Sequence, residues 1–231
     1  MRFNRFYINQ RIDRKVSISD ETLIHQWRNV FRMKDGDEIV IFDDSGFEYR
    51  ARFLELGKNK AELQILEKVK NEIVPKREVV LYQSLIKKDN FEWIVQKGTE
   101  LGVSEFVPII SERSEKKALN MDRLNIIAKE ASEQSGRAQL PKIHEPKKLS
   151  ELLENFNGNG IAFDSSGKNF QFSIPNFQSI SNISIFIGPE GGWTEHELKL
   201  FKSKNIPIVS LGNMTLRAET AAIAVASILL L

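Results

Sequence analysis

Hydrophobic residues fall in short runs separated by turn residues over the first third of the chain, and this pattern predicts a β-rich unit. Strands are predicted at residues 2–9, 38–42, 47–56 and 61–69. Leu23 and Trp27 lie at helical spacing within residues 19–32, so one helix is expected to interrupt the strands. Short strands at regular spacing are typical of a small barrel, which we expect over residues 1–70.

From residue 78 onward the rhythm changes, because apolar strands alternate with segments of helical periodicity. Strands are predicted at residues 79–85, 105–110, 160–163, 183–187 and 206–211. Helices are predicted at residues 90–101 and 122–135, and one more follows each of the last two strands. This alternation indicates an α/β fold with a parallel sheet over residues 78–231. Residues 71–77, with Pro75 and mixed charge, are the predicted linker.

Two loops of similar design follow the last two predicted strands. The first reads Gly-Pro-Glu-Gly-Gly-Trp at residues 188–193, and the second runs from Gly212 to Thr220. Ligands of parallel sheets bind beyond the carboxyl ends of the strands, and glycine lets backbone approach a ligand closely. The first loop lacks the lysine and the glycine spacing of the phosphate-binding motifs, which disfavours a nucleoside triphosphate or a dinucleotide. The loops therefore predict a ligand site built mainly from backbone.

The helices that follow these loops carry their own signals. Residues 194–197 (Thr-Glu-His-Glu) match a capping box, which predicts a helix start. Near the start of the last helix, Glu219 is explained by the helix dipole, whereas the cation Arg217 is unfavourable there. We therefore expect Arg217 to have an anionic or carbonyl partner. Residues 221–231 are apolar almost all round, so this helix is expected to be buried in the core or against another subunit.

Composition excludes several kinds of chemistry. The chain of 231 residues has no cysteine, which rules out disulfides, thiolate metal sites and thiol nucleophiles. Its three histidines are far apart in sequence, so no metal site is expected. No apolar run is long enough to span a membrane and the first residues do not resemble a signal peptide, so a cytoplasmic protein is expected.

Charge is informative through its distribution. The net charge of +2 is too small to indicate a partner. Residues 1–15, however, contain five basic residues and one acid. This basic arm, residues 1–15, could bind the phosphate backbone of a nucleic acid. An ordinary solvated surface with scattered charges explains the same residues equally well.

Several motifs together resemble one known family. The two loops, at residues 188–192 and 211–221, resemble the SPOUT methyltransferases, and more closely the 16S ribosomal RNA uracil-N3 methyltransferase family. Further matches lie at residues 25–37, with a core at 30–37, and at residues 97–103 and 133–137. The resemblance covers the whole chain in order, and the motifs are specific as a set rather than singly. One departure is Phe31, where the family usually has leucine.

The resemblance implies a PUA-like β-barrel for RNA, followed by a SPOUT α/β domain with a parallel sheet and a C-terminal trefoil knot. It implies S-adenosylmethionine as cofactor, held in the knot mostly by main chain. The cofactor-binding positions carried over are Ile187, Gly188, Gly191, Gly192, Leu211, Gly212, Asn213, Leu216 and Thr220. It also implies a homodimer with the site near its interface, and ribosomal RNA of the assembled small subunit as partner. RNA contacts are expected from the basic arm, at Arg2, Arg5, Arg11 and Arg14.

The implied activity is methylation of N3 of a uridine in 16S ribosomal RNA. Loss of the N3 proton spreads negative charge onto the uracil oxygens O2 and O4, which a guanidinium could stabilise. Our hypothesis is that Arg217 does this. The general base stays open between Glu190 and Glu219, both of which have loop or capping explanations.

Three alternatives remain at this point. The first is a SPOUT methyltransferase of another RNA, against which the full-length resemblance argues. The second is a non-catalytic RNA-binding protein, which the intact loops at residues 188–192 and 211–221 disfavour. The third is a nucleotide-binding enzyme of Rossmann type, for which the phosphate fingerprint is missing.

Overall fold

Two separate sheets organise the chain in a computed structural model that describes residues 3–114, 118–170 and 181–231. The first compact unit takes in the chain up to Val74 together with Ser132–Gln139. The second comprises Pro75–Ala131 and Leu140–Leu231. Segment Ser132–Gln139 joins the first unit although it lies far along the chain, and no periodicity in the sequence indicates this.

The first unit is built on a five-stranded sheet. Its strands are β1 (Arg5–Tyr7), β2 (Lys15–Ile18), β3 (Glu38–Phe42), β4 (Phe47–Leu56) and β5 (Ala61–Lys70). Their order is β1-β3-β4-β5-β2, with β1 parallel to β3 and the other neighbours antiparallel. The predicted turn between β3 and β4 is present, and Gly46 adopts φ +79° in it. Strand β2 was not predicted, and β1 is shorter than the predicted strand 2–9.

An aromatic cluster fills the core of the first unit. Helix α1 (Glu21–His25) continues into a π-helical turn (Gln26–Val30). Together the two segments are shorter than the predicted helix 19–32. Asp20 caps α1 by accepting a hydrogen bond from the Leu23 backbone N at 3.0 Å. Trp27 is fully buried, and its ring centre lies 5.7 Å from that of Phe6 and 5.2 Å from that of Phe53.

The second unit contains the predicted parallel sheet, which has seven strands rather than the five that were expected. They are β6 (Glu78–Ser84), β7 (Glu105–Ile110), β8 (Lys142–Ile143), β9 (Lys147–Lys148), β10 (Gly160–Asn169), β11 (Asn182–Ile187) and β12 (Ile208–Ser210). Their order is β12-β10-β11-β6-β7-β8, and β9 also pairs with β7. The prediction that a strand ends at Phe163 was wrong: β10 continues to Asn169, with a register shift against β12 between Phe163 and Lys168.

Helices cover this sheet. They are α2 (Lys88–Leu101), α3 (Met121–Ser135), α4 (Leu149–Glu154), α5 (Glu195–Ser203) and α6 (Ala218–Leu230). The predicted helices match α2, α3, α5 and α6, whereas the short elements α4, β8 and β9 were not predicted. Helix α6 packs against α2 and against β6 and β11. Within the described ranges, every helix is too short or too polar to cross a membrane.

Candidate functional site

The two glycine-rich loops lie on either side of one strand. Strand β10 pairs with β11 on one edge and with β12 on the other. The 188–194 loop follows β11 and the 211–217 loop follows β12, so both leave the carboxyl end of the sheet beside β10. Such an edge is where parallel sheets bind ligands. The fold therefore brings together two loops that are separated in sequence, since the first ends at residue 194 and the second begins at residue 211.

Trp193 anchors the 188–194 loop to the sheet. Its indole Nε1 donates a hydrogen bond to the Phe163 backbone O at 3.0 Å, and the side chain is buried. A Cβ at position 188 would lie 3.2 Å from the Trp193 ring, so glycine there allows the indole to pack under the loop. Gly188 thus has a structural explanation as well as its predicted role at the cofactor.

Arg113 holds the same loop from another side, and sequence reasoning missed it. Its guanidinium Nη1 donates to the Gly191 backbone O at 2.7 Å and lies 3.4 Å from the Trp193 backbone O. A Cβ at Gly191 would lie 3.3 Å from the Arg113 side chain, so the two groups are in close contact. The only sequence signal was a basic residue just beyond the end of β7.

The capping box predicted at residues 194–197 is confirmed. Glu197 N donates to Thr194 Oγ1 at 3.2 Å, and Thr194 N donates to Glu197 Oε2 at 2.8 Å. The other oxygen of the buried Glu197 carboxylate accepts a hydrogen bond from the Glu112 backbone N at 2.9 Å. Glu112 in turn lies 2.7 Å from His196 Nδ1, and this contact lowers the pKa of the Glu112 carboxyl. The start of α5 is therefore tied to the loop after β7.

The 211–217 loop is more open. Gly212 adopts φ +130°, a conformation that side-chain-bearing residues rarely adopt, and a Cβ there would meet nothing within 4 Å. Glycine is therefore needed for the backbone path rather than for packing. Met214 is 83% exposed and Leu216 is 37% exposed. Apolar side chains and open space next to a glycine backbone are suited to contact with a ligand or partner.

Arg217 stands at the junction of this loop with α6. It occupies the N-cap position with φ −65° and ψ 154°, and its side chain makes no capping hydrogen bond. The side chain is exposed and forms no ion pair with any residue that the structure describes. The expected anionic or carbonyl partner is therefore absent from the described part of the chain, which leaves the guanidinium available to a bound group.

Three buried polar residues lie at the same edge of the sheet, and the motifs had indicated only one of them, Glu219. Gln83 and Ser84 end strand β6 and are fully buried, and Gln83 pairs in register with Ile187. Glu219, in the first turn of α6, is 5% exposed. Its rival as general base, Glu190, is exposed. The available signal was a polar pair at the end of an apolar strand.

The predicted cofactor-binding residues all lie in these loops or at their ends. Ile187 is buried as the last residue of β11. The half-buried members are Gly188, Gly192, Leu211 and Gly212. The exposed members are Gly191, Asn213, Leu216 and Thr220. Their assignment to the cofactor stays a prediction, but the fold collects them at one end of the parallel sheet.

Arg5, predicted to contact RNA, is engaged within the first unit. Its guanidinium forms an ion pair with Glu48, donates to the Arg137 backbone O at 3.1 Å and lies 5.3 Å from the Phe42 ring centre. Arg137, from a family motif, is itself buried, and burial lowers its pKa to about 10. Both arginines therefore have structural roles in this unit.

The other candidates for RNA contact differ from Arg5. Arg11 and Arg14 are exposed, and Arg11 makes only a long ion pair of 3.8 Å to the exposed Asp13. Arg2 lies outside the described residues. No cluster of three or more potential metal ligands is found among the residues with described positions.

Comparison with known proteins agrees with this architecture. A family described as "RNA methyltransferase domain" matches residues 74–230, and one described as "RNA methyltransferase PUA domain" matches residues 28–66. Ribosomal RNA small subunit methyltransferase E of Rickettsia conorii is 33% identical, over 100% of this chain and 97% of its own length.

Solved structures show the same similarity. Ribosomal RNA small subunit methyltransferase E from Neisseria gonorrhoeae, bound to S-adenosyl methionine, has 28% identity and a TM-score of 0.88, covering 98% of this chain and 96% of its own. A methyltransferase from Legionella pneumophila, in complex with SAM, has 25% identity and a TM-score of 0.89, covering 99% and 97%. The predicted fold class, a PUA-like β-domain followed by a SPOUT α/β domain, is therefore confirmed. This chain belongs to the ribosomal RNA small subunit methyltransferase E family of SPOUT RNA methyltransferases.

Proposed function

We propose that this chain is an S-adenosylmethionine-dependent enzyme that methylates N3 of a uridine in 16S ribosomal RNA. The observation that carries the proposal is the pair of glycine loops flanking β10. It occurs in a chain that matches a relative named ribosomal RNA small subunit methyltransferase E over 97% of that relative's length. Residues 78–231 would carry the methyl transfer, and residues 1–70 would bind RNA, with 71–77 between them.

The residues present fit the cofactor. Gly212 borders open space, and Gly192 turns the chain with φ +67°. Leu216 adds an exposed apolar side chain. Together they can form a binding surface made mainly of backbone and apolar groups. S-adenosylmethionine supplies an electrophilic methyl group when bound. The chain's own task is then to hold that group in line with the uracil nitrogen, since positioning accounts for much of the rate in such a transfer.

Arg217 is proposed as the catalytic residue. A uracil that loses its N3 proton carries negative charge on O2 and O4, and a guanidinium can donate to one of these oxygens. The exposed position of Arg217 at the start of α6, with no ion pair among the described residues, supports this role. Neither of the two candidates, Glu190 and Glu219, is assigned as the proton acceptor.

A homodimer is part of the proposal. Helix α6 buries Val225 and Ala226, but Ile228 is 50% exposed and Leu231 is 84% exposed. Trp93 on α2, the helix against which α6 packs, is 45% exposed. Large exposed apolar side chains fit a protein interface. Sedimentation velocity should give a dimer for the wild type and monomer for Ile228→Glu, while a monomeric wild type would refute the dimer. A cytoplasmic location is also proposed, because the proposed substrate is a ribosomal subunit.

The test of the activity is nucleoside analysis by mass spectrometry. Small ribosomal subunits from a strain that lacks this modification are incubated with the purified chain and S-adenosylmethionine, and their RNA is digested. We expect 3-methyluridine only when protein and cofactor are both present. A different methylated nucleoside, or methylation of another RNA alone, would favour the alternative SPOUT enzymes. Absence of both methylation and cofactor binding would favour a non-catalytic RNA-binding protein.

A further inference from the structure

Three buried polar atoms at the carboxyl end of the second unit's sheet have no hydrogen-bond partner in the described ranges. They are Gln83 Oε1, Ser84 Oγ and Glu219 Oε2. The Gln83 side-chain amide donates to the Ser84 backbone O at 3.0 Å, so its nitrogen is satisfied and its oxygen is not. Buried polar atoms are nearly always paired, so three such atoms at one edge need an explanation.

The fold places these atoms near the two glycine loops. Gln83 pairs in register with Ile187, the residue directly before Gly188. Helix α6, which contains Glu219, begins where the 211–217 loop ends and packs against both β6 and β11. The unpartnered atoms therefore lie at the end of the sheet to which the proposed cofactor residues belong.

Of the three unpartnered groups, the carboxylate of Glu219 has the highest free-energy cost of burial, because it can carry a full charge. An acid in the first turn of a helix is favoured by the helix dipole, which explains why it is tolerated. The dipole effect is small, however, compared with the cost of burying a carboxylate without a cation or several donors. Because Glu219 has neither among the described residues, a bound group that brings positive charge would complete it.

Of the two molecules proposed to meet at this edge, only the cofactor carries positive charge. S-adenosylmethionine has a sulfonium and an α-ammonium group, whereas uracil is neutral and becomes anionic as its N3 proton leaves. We infer that Glu219 binds a cationic group of S-adenosylmethionine, with Gln83 and Ser84 as neighbouring polar contacts. This inference rests on the proposed function and assigns Glu219 to cofactor affinity rather than to proton transfer.

Calorimetry on the full chain tests the inference. Glu219→Gln keeps the shape and removes the charge, and Glu195→Gln, an exposed acid in the first turn of α5, is the control. We expect Glu219→Gln to weaken S-adenosylmethionine roughly 10- to 100-fold, the range for losing a hydrogen bond to a charged group. The product S-adenosylhomocysteine has lost the sulfonium charge. An unchanged product affinity would identify the sulfonium as the partner, and an equal loss would identify the ammonium.

Two results would overturn the inference. One is a Glu219→Gln affinity for both compounds within twofold of the wild type, even if turnover falls, because that would point to proton transfer. The other is a marked fall in the melting temperature of the cofactor-free variant, because it would show that the protein itself satisfies the carboxylate. Failure of the wild type to bind either compound would instead refute the proposed function.

Discussion

At the scale of single residues, the glycines of the two loops are needed for different physical reasons. Gly188 makes room for the Trp193 ring, which would lie 3.2 Å from a Cβ. Gly212 faces open space and is needed because its φ of +130° strains any residue with a side chain. The same residue type in two similar motifs therefore acts once through packing and once through backbone conformation.

We expect Gly212→Ala to lower the free energy of unfolding by about 1–3 kcal/mol, the usual cost of backbone strain. Affinity for S-adenosylmethionine should fall as well, because the loop must leave its path. The control is Gly158→Ala, where φ is unstrained and the nearest atom would be Phe156 Cζ at 3.7 Å. Urea unfolding monitored by fluorescence measures the free energy of unfolding of both variants. Equal stability of the two variants would contradict the strain argument.

Arg217 is the side chain whose replacement should separate catalysis from binding. Loss of one charge-stabilising donor commonly lowers turnover by about 10²–10³-fold, and we expect this of Arg217→Ala at saturating RNA and cofactor. Cofactor affinity should change little. Arg217→Lys keeps the charge without the planar pair of donors, so an intermediate rate is expected. Full turnover of Arg217→Ala in single-turnover assays would remove Arg217 from the mechanism.

At the scale of elements, the 188–194 loop is fixed by contacts from three parts of the second unit. Trp193 bonds to β10, Arg113 reaches from the segment after β7, and Glu197 joins the start of α5 to Glu112. Each contact is a hydrogen bond to backbone. The loop is therefore held in one shape by groups that need not touch the ligand.

Arg113→Ala should loosen this loop without unfolding the domain. Loss of the hydrogen bond to Gly191 O should weaken S-adenosylmethionine by roughly 2- to 10-fold, which corresponds to an ordinary hydrogen bond. Arg113 is exposed, so stability should change by less than about 1 kcal/mol. The matched control is Arg123→Ala, an exposed arginine of α3 that lies 3.5 Å from Glu92. If calorimetry gave wild-type affinity for Arg113→Ala, the loop would not depend on this arginine.

At the scale of the whole molecule, the basic residues proposed to contact RNA differ in how free their charges are. Five basic residues lie among the first fifteen, but Arg5 is paired with Glu48 within the first unit. Arg11 and Arg14 are exposed, so among the predicted arginines with described positions they are better able than Arg5 to neutralise phosphates. The structure thus distinguishes a paired arginine from exposed ones, although all of them contribute equally to the net charge of the segment.

We expect the double variant Arg11→Ala, Arg14→Ala to bind 16S ribosomal RNA more weakly and with less dependence on salt. Two lost phosphate contacts should reduce the slope of log K against log salt by about 1.4–1.8. Arg52→Ala serves as the control, since Arg52 is already bound to Glu38 at 2.7 Å. Filter-binding titrations over a range of salt concentrations measure the slope. A slope equal to that of the wild type would exclude both arginines from phosphate contact.

Local signals in the sequence predicted most of the fold. The parallel sheet, the helices after both glycine loops and the capping box at Thr194 follow from periodicity and from residues within four positions of each other. Strand β2 and the strands β8 and β9 were missed because they are two to four residues long, too short for a period to show. The continuation of β10 past Phe163 was missed because residues 164–167 read as a turn.

The sequence by itself determined the family, the alternation of the longer strands and helices, and the two loops where a ligand is expected, because these depend on neighbouring residues and on motifs. Only the tertiary structure decided which distant groups meet. Arg113 and Gly191 are 78 residues apart, and Arg5 and Glu48 are 43 apart. The buried oxygens of Gln83 and Glu219 likewise belong to separate elements. Burial and pairing depend on contacts across the fold, and local sequence periodicity does not encode them.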